Sequence, residues 1–234
     1  MHASLIFLFA LLSVGAFAQP GSPAKTGGTG GTLLFSDDFT GSLDTTVWIA
    51  EIAPKPPAAV YTRGGQLWLD TRGGVTVWLK KKLGGNWRIE YTRRVVVDTG
   101  SNDRLSDLNT FWMASDPRNP HLFTRDGVLE SYDSLQLYYV GQGGNSNSTT
   151  RFRRYEGNGQ RTLVQEYTDT AHLMQANREY TVSISKTGPN VTYAVDGVVF
   201  FSWNDPRPLQ EGYFGFRSTK SRQAIGNIRV YRLP

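Results

Sequence analysis

The feature that most constrains this chain is a recurrence of short apolar or alternating runs between residues 33 and 231, separated by glycine, proline, asparagine and aspartate signals. Alternation with period two puts successive side chains on opposite faces of a strand, and runs this short between turn residues build sandwiches rather than helical domains. The runs are 33–39, 66–69, 75–79, 87–97, 108–113, 129–140, 150–155, 163–167, 180–186, 191–195, 198–203, 213–217 and 225–231. Asp196-Gly197 sits between two of them and predicts a tight two-residue hairpin turn. The best helical stretch, 170–179, is short and reads as a loop with at most one turn. The expectation is an all-β domain.

The length of 234 residues suits one such domain with a substantial core. Residues 5–17 form an apolar run too short to span a bilayer, ending in Ala16-Phe17-Ala18 before Gln19, the small-residue pattern of a signal peptidase site. The n-region offers only the amino terminus and His2. Residues 1–18 are read as a signal peptide and the mature protein as secreted, periplasmic or extracellular. Residues 19–31, QPGSPAKTGGTGG, read as a flexible tether, leaving 32–234 as the domain.

The chain has no cysteine, which excludes disulfides, thiolate nucleophiles and thiolate zinc sites. Two sequons, at Asn147 and Asn190, are read as chance matches, because a cysteine-free exported chain suits a bacterial envelope. The formal charge of +5 favours acidic partners such as uronic-acid polymers. Basic residues are spread over many strands, so nucleic acid is not the expected partner. GQGGNSN leads into a strand rather than a helix, and no G-x-S-x-G elbow occurs, which removes nucleotide and serine-hydrolase readings. A monomer without a membrane span is expected.

The chemistry gathers in ESYDSLQLYYVGQGGNSNSTTRFRRY, from Glu130 to Tyr155. Read as a strand, Glu130, Tyr132, Ser134, Gln136 and Tyr138 share one face against Leu135 and Leu137. After the loop, Arg151, Arg153 and Tyr155 share a face against Phe152 and Arg154. Pairing of the two strands would line one surface with phenols, amides and guanidinium groups. A polysaccharide lyase uses such groups: a cation to neutralise the uronate carboxylate, a base for the α-proton and an acid for the leaving oxygen. Tyr132 and Tyr138 are the candidate base and acid, Arg153 and Arg151 bind the carboxylate, and Gln136, Asn145 and Asn147 hold hydroxyls. Tyrosine titrates near pH ~10, so a basic role requires the neighbouring guanidinium groups to lower it.

His121, in the loop before the motif, is a candidate general base, and His172 approaches from another loop. Glu130, Trp112 and Arg217 complete the candidate substrate contacts, with Trp112 as a stacking platform for a sugar ring. Each has a structural alternative: cross-strand packing for tyrosine and arginine, a surface loop for histidine, the core for Trp112. No cluster with transition-metal ligand spacing is present, so no cofactor is expected.

The opening LLFSDDFTGSLDTTVW is similar to the first strand of laminarinase-like and laminin-G-like jelly rolls, and the ending GYFGFRSTKSRQAIGNIRVYRL resembles their final strand pair. LNTFWMASDP, YDSLQLYYVGQGGNSNSTTRFRRYEG and GYFGFRSTKSR together resemble a family of secreted bacterial domains of unassigned function found among polysaccharide-degrading proteins. The resemblance implies a concanavalin-like jelly-roll β-sandwich of two antiparallel sheets, and it admits a structural calcium ion near Asp37 and Asp38. The laminarinase-like enzymes carry two glutamates on one strand face, as retaining hydrolysis needs carboxyl groups ~5 Å apart. Here the corresponding stretch has Glu130 and Asp133, whose odd spacing sends them to opposite faces. The expectation is a carbohydrate-active protein, lyase-like on an anionic polysaccharide or oligosaccharide. A non-catalytic carbohydrate-binding module and a glycoside hydrolase with atypical carboxylates are the alternatives.

Overall fold

The computed structural model describes residues 30–234; the predicted signal peptide and residues 19–29 of the predicted tether lie outside the described residues. Thirteen strands follow in order: β1 (Thr32–Asp37), β2 (Trp48–Ile52), β3 (Ala58–Thr62), β4 (Leu67–Gly84), β5 (Trp87–Val96), β6 (Leu108–Ser115), β7 (Gln136–Gly143), β8 (Thr149–Glu156), β9 (Arg161–Tyr167), β10 (Tyr180–Thr187), β11 (Asn190–Val195), β12 (Val198–Asn204) and β13 (Glu211–Arg232). Every pairing is antiparallel.

Two layers result. The first runs β9-β8-β7-β6, then the first half of β13, the second half of β4, and β2. The second runs β12-β11-β10-β5, then the second half of β13, flanked by β1 and by the first half of β4, which carries β3. The ladder is continuous because β4 and β13 pass through both layers, and β13 shifts register between Thr219 and Ser221 at the crossing. Gly74 on β4 is needed there: a β-carbon would collide with the Gly127 carbonyl of a loop that lies across the strand. The result is the expected jelly roll, with the separate runs 66–69 and 75–79, and 213–217 and 225–231, fused into two long strands. The hairpin at Asp196-Gly197 has positive φ at both positions (51° and 79°), as the two-residue turn requires.

The main core lies between the layers. Trp112 of β6 stacks on Phe152 of β8 (5.8 Å) and faces Tyr193 of β11 (6.4 Å), while Phe152 meets Phe201 of β12 (5.7 Å). Apolar burial of this kind contributes about 1.5–3 kcal/mol for each large side chain. Trp112 is therefore a core residue, only 1% exposed, and its predicted place as a sugar platform is corrected.

A second apolar cluster covers the outer face of the first layer. Residues 116–135 fold back over the sheet, bringing Leu122, Tyr132 and Leu135 onto Trp78, Phe111, Tyr139 and Tyr155. Glu51 fastens this loop: its carboxylate accepts from Trp78 Nε1 (2.8 Å), Tyr132 Oη (2.8 Å) and the Arg125 backbone N–H (2.7 Å). The predicted strand 129–140 is corrected here. Leu129–Tyr132 is a 3-10 turn and β7 begins at Gln136, so Glu130, Tyr132 and Ser134 do not share a strand face with Gln136 and Tyr138. Successive turn hydrogen bonds, Asp133 N–H to the Glu130 carbonyl (3.2 Å) and Leu135 N–H to the Tyr132 carbonyl (3.0 Å), replace the ladder. The predicted single turn after residue 170 is present as Thr170–His172. No helix among the described residues is long and apolar enough to cross a membrane.

Candidate functional site

The strand register sets two rows of side chains on the outer face of the first layer. One row runs Trp78, Gly215, Phe111, Tyr139, Arg153 and Leu163; the next runs Thr76, Arg217, Asn109, Gly141, Arg151 and Glu166. The covering loop fills the first row as far as Tyr139, and beyond its edge the face opens into a groove. Two recesses of about 410 and 210 Å³ share Asp107, Leu129 and Tyr139, so they form one continuous depression. The larger continues past Glu130 and Arg217 to Lys55, Arg72 and Lys220; the smaller passes Arg151, Arg153 and Arg161 to Asn145.

Charge in the groove is unevenly satisfied. Arg151 pairs with Glu166, Arg161 with Asp133 (2.6 Å) and Asp107 with Arg104. Arg153 has no carboxylate partner among the described residues, and its buried Nε makes no hydrogen bond. Arg217, 1% exposed, forms the floor: Nη1 donates to the Gly127 carbonyl (2.6 Å), Nη2 to Thr219 Oγ1 (3.1 Å), and Nε has no partner. Asn109 Oδ1 beside it is also buried and unpartnered. Unpartnered buried polar atoms cost about 1–3 kcal/mol each, so their gathering here suits a surface that a polar ligand completes.

Tyr139 supplies the phenol. Gly141, two residues on, leaves room for it: a β-carbon there would run into the Tyr139 hydroxyl. Burial pushes the Tyr139 hydroxyl well above the ordinary tyrosine value, with Tyr155 and Asp107 adding, and the guanidinium groups of Arg217 and Arg153 only partly oppose this. Tyr155 is raised to about 12, again chiefly by burial. The expectation that arginines would lower a tyrosine toward a base is thus reversed. Desolvation outweighs them, and the groove holds a protonated phenol.

Of the sequence-predicted residues, the structure gathers Arg151, Arg153, Arg217, Asn145 and Glu130 along this groove. Tyr138 is elsewhere: it points into the core, its hydroxyl donates to Asp205 Oδ2 (2.6 Å) and accepts from the Leu209 backbone N–H (3.1 Å). Tyr132 is fully buried and bound to Glu51. Burial raises both of these phenols, so neither has the lowered value a base needs. Gln136 pairs with Ser115 and Glu156 at the start of β7, away from the groove lining. Asn147 uses its side chain to clamp Met174, donating to its carbonyl and accepting from its N–H (both 2.9 Å). His121 is exposed on the covering loop and does not line either recess. Among the described residues no three histidine, cysteine or acidic side chains gather as for a metal. Asp37 accepts from Phe39 N–H and Trp48 Nε1 (both 2.8 Å), and Asp38 pairs with Arg229 (2.8 Å).

Sequence reasoning missed Tyr139, Asp107, Asn109 and the cations Lys55, Arg72 and Lys220. The adjacent Tyr138-Tyr139 pair held the signal, since consecutive strand residues face opposite ways and one of two tyrosines must face outward.

A family model matches residues 69–228, which take in β5 to β12 and most of the long β4 and β13. The chain belongs to DUF6250, a domain of unknown function. No curated protein matches it. Among solved structures, this chain is similar to a protein of unknown function with a galectin-like fold from Bacillus subtilis (TM-score 0.73, 15% identity, covering 87% of this chain and 97% of that one). It is also similar to an endo-β-1,3-glucanase from Pyrococcus furiosus (0.60, 10% identity, 86% and 94%) and to a carbohydrate-binding module from Bacillus subtilis (0.55, 11% identity, 79% and 94%). At these identities the likeness establishes the jelly-roll fold.

Proposed function

We propose that this DUF6250 chain is an exported carbohydrate-active protein whose outer-face groove receives an anionic, uronate-containing glycan. The observation that carries the reading is Arg153, a groove guanidinium with no carboxylate partner among the described residues. Uronate carboxylates match the planar fork of arginine and form charge-assisted pairs with it. Lys55, Arg72 and Lys220 at the other end of the groove are exposed cations without carboxylate partners among the described residues, placed for a further acidic unit of the same polymer. Leu129 and Val128 give the sugar ring an apolar edge, and the Tyr139 hydroxyl is available as a donor. Fold likeness to a carbohydrate-binding module and a glucanase agrees with this reading as analogy.

The test is calorimetric titration of the domain with oligogalacturonate and oligoglucuronate at low salt. Removing one charge-assisted contact costs about 1.5–3 kcal/mol, so Arg153→Ala is expected to weaken binding about 10- to 150-fold. Unchanged affinity in Arg153→Ala, or no binding of either uronate, rejects the reading.

A second reading, β-elimination in the same groove, is favoured by the protonated Tyr139 hydroxyl. A base removes the proton α to the uronate carboxylate, the electron pair forms the new double bond, the glycosidic C–O bond breaks, and Tyr139 protonates the departing oxygen. Arg153 would hold the carboxylate as charge develops, and Glu130, exposed at the groove edge, is the candidate base, since Asp107 in the same lining is paired with Arg104. The conjugated unsaturated uronate absorbs in the ultraviolet. A rise in absorbance lost in Tyr139→Phe supports elimination; binding without any rise leaves a binding module.

A further inference from the structure

A separate cavity of about 380 Å³ lies where β7, the Thr170–His172 turn and the β11–β12 hairpin meet, and nothing in the groove reading uses it. Its floor includes Gln142, which points inward from β7 next to Gly141 on the groove side. Gln142 is 0% exposed, and neither its Oε1 nor its Nε2 has a hydrogen-bond partner among the described residues. A buried primary amide with both ends unpartnered presents its N–H donors and an acceptor oxygen side by side.

The wall is a fixed imidazole. His172 stacks on Tyr167 (centroids 3.7 Å apart, planes at 4°) and meets Phe200 edge-on (4.6 Å). Its Nδ1 lies 2.8 and 3.0 Å from the two Asp169 oxygens, which engages Nδ1 and leaves Nε2 to a ligand hydroxyl. The turn that carries it is tied to the β7–β8 hairpin by Thr150 Oγ1 donating to the His172 carbonyl (2.7 Å) and by the Asn147 clamp on Met174. Formal charge is cancelled, since Arg178 pairs with Asp196 (2.7 Å). Leu173, Val198 and Phe200 supply apolar surface.

The geometry points to a second binding site, for a neutral sugar ring, with the Gln142 amide and His172 Nε2 taking its hydroxyls and the apolar residues its C–H face. Charge separates it from the groove. The groove offers a guanidinium with no carboxylate partner; this cavity offers paired charges and neutral donors and acceptors, which suit a hydroxylated ring and not a carboxylate.

The probes are glucose, galactose, mannose and N-acetylglucosamine, followed by saturation-transfer NMR and by shifts of the Gln142 side-chain amide in the whole domain. At least one probe is expected to bind and move that amide, with affinity lost at least tenfold in Gln142→Met and reduced in His172→Ala. Gln142→Met removes two unpartnered polar atoms from a buried position, so its Tm is expected to hold or rise while binding disappears. Arg153→Ala should bind the neutral sugar as wild type does, so this site and the uronate groove fail or succeed independently. The inference is overturned if no probe binds, or if Gln142→Met binds as wild type. If Gln142→Met loses binding along with stability, unaltered binding by His172→Ala overturns it and weakened binding by a stable His172→Ala supports it.

Discussion

Glu51→Gln is the substitution that most sharply tests how the groove is built. Glu51 is 5% exposed and accepts three hydrogen bonds, two on Oε2 from Trp78 and Tyr132 and one on Oε1 from the Arg125 backbone. A glutamine can keep its carbonyl oxygen toward Trp78 and Tyr132, but its amide nitrogen then meets the Arg125 N–H, donor against donor. One charge-assisted bond is lost and a backbone donor is left unpartnered, for an expected cost of about 2–3 kcal/mol. In a domain of this size each kcal/mol moves Tm by about 2–4 °C, so a fall of about 4–12 °C follows. Urea unfolding followed by tryptophan fluorescence measures the cost directly, with an unchanged m-value. Tyr132→Phe, which removes one donor and leaves the other two, should cost about 1–2 kcal/mol. Because the same loop carries Leu129 and Glu130 to the groove, glycan affinity should fall with it. If Glu51→Gln lies within about 0.5 kcal/mol of wild type, the range of an ordinary surface change, the carboxylate does not fasten the loop and the reasoning fails.

Asp116 offers a pH test of the same loop. Burial pushes its carboxyl up, but the Arg118 N–H and the Arg125 guanidinium win and hold it below the ordinary value. A folded-state value below the unfolded one gives stability that is full above the unfolded pKa of about 3.9 and is lost as pH falls through the folded value. The stability gap between wild type and Asp116→Asn should therefore be constant near neutrality and close in acid; a gap independent of pH contradicts the pairing. Gly141→Ala should displace the Tyr139 hydroxyl and weaken uronate binding at least as much as Tyr139→Phe, about fivefold for one hydrogen bond of about 1 kcal/mol, and wild-type affinity in both variants would argue against Tyr139 as a ligand contact. Arg153→Ala should also flatten the salt dependence of uronate binding, since it removes a charge contact that salt screens.

The sheet framework was legible because turn residues and alternation are local. Arg151, Arg153 and Tyr155 face outward together, and Phe152 faces the core, as period two requires. What misled was the alternation continuing backward through Ser134, Tyr132 and Glu130, which mimics a strand. The competing interaction is Tyr132 with Glu51, 81 residues away in sequence, and no local pattern carries it. Counting parity from Glu130 then placed Tyr139 with the apolar face and Tyr138 with the polar one. Both faces of β7 are in fact buried, one by the second layer and one by the covering loop, and a strand covered twice loses the polar-out signal. Long β4 and β13 were read as separate strands because Gly73-Gly74 and Thr219 to Ser221 resemble turns. They mark the bend where each strand passes from one layer to the other.

The measurement that most directly tests the central claim is a crystal structure of the domain with oligogalacturonate bound. A uronate carboxylate is expected on the Arg153 guanidinium, with a sugar hydroxyl or bridging oxygen at Tyr139 Oη and the glycan running toward Arg217 and Lys220. An oligosaccharide seated away from Arg153, or a groove that stays without glycan at saturating concentration, would contradict it.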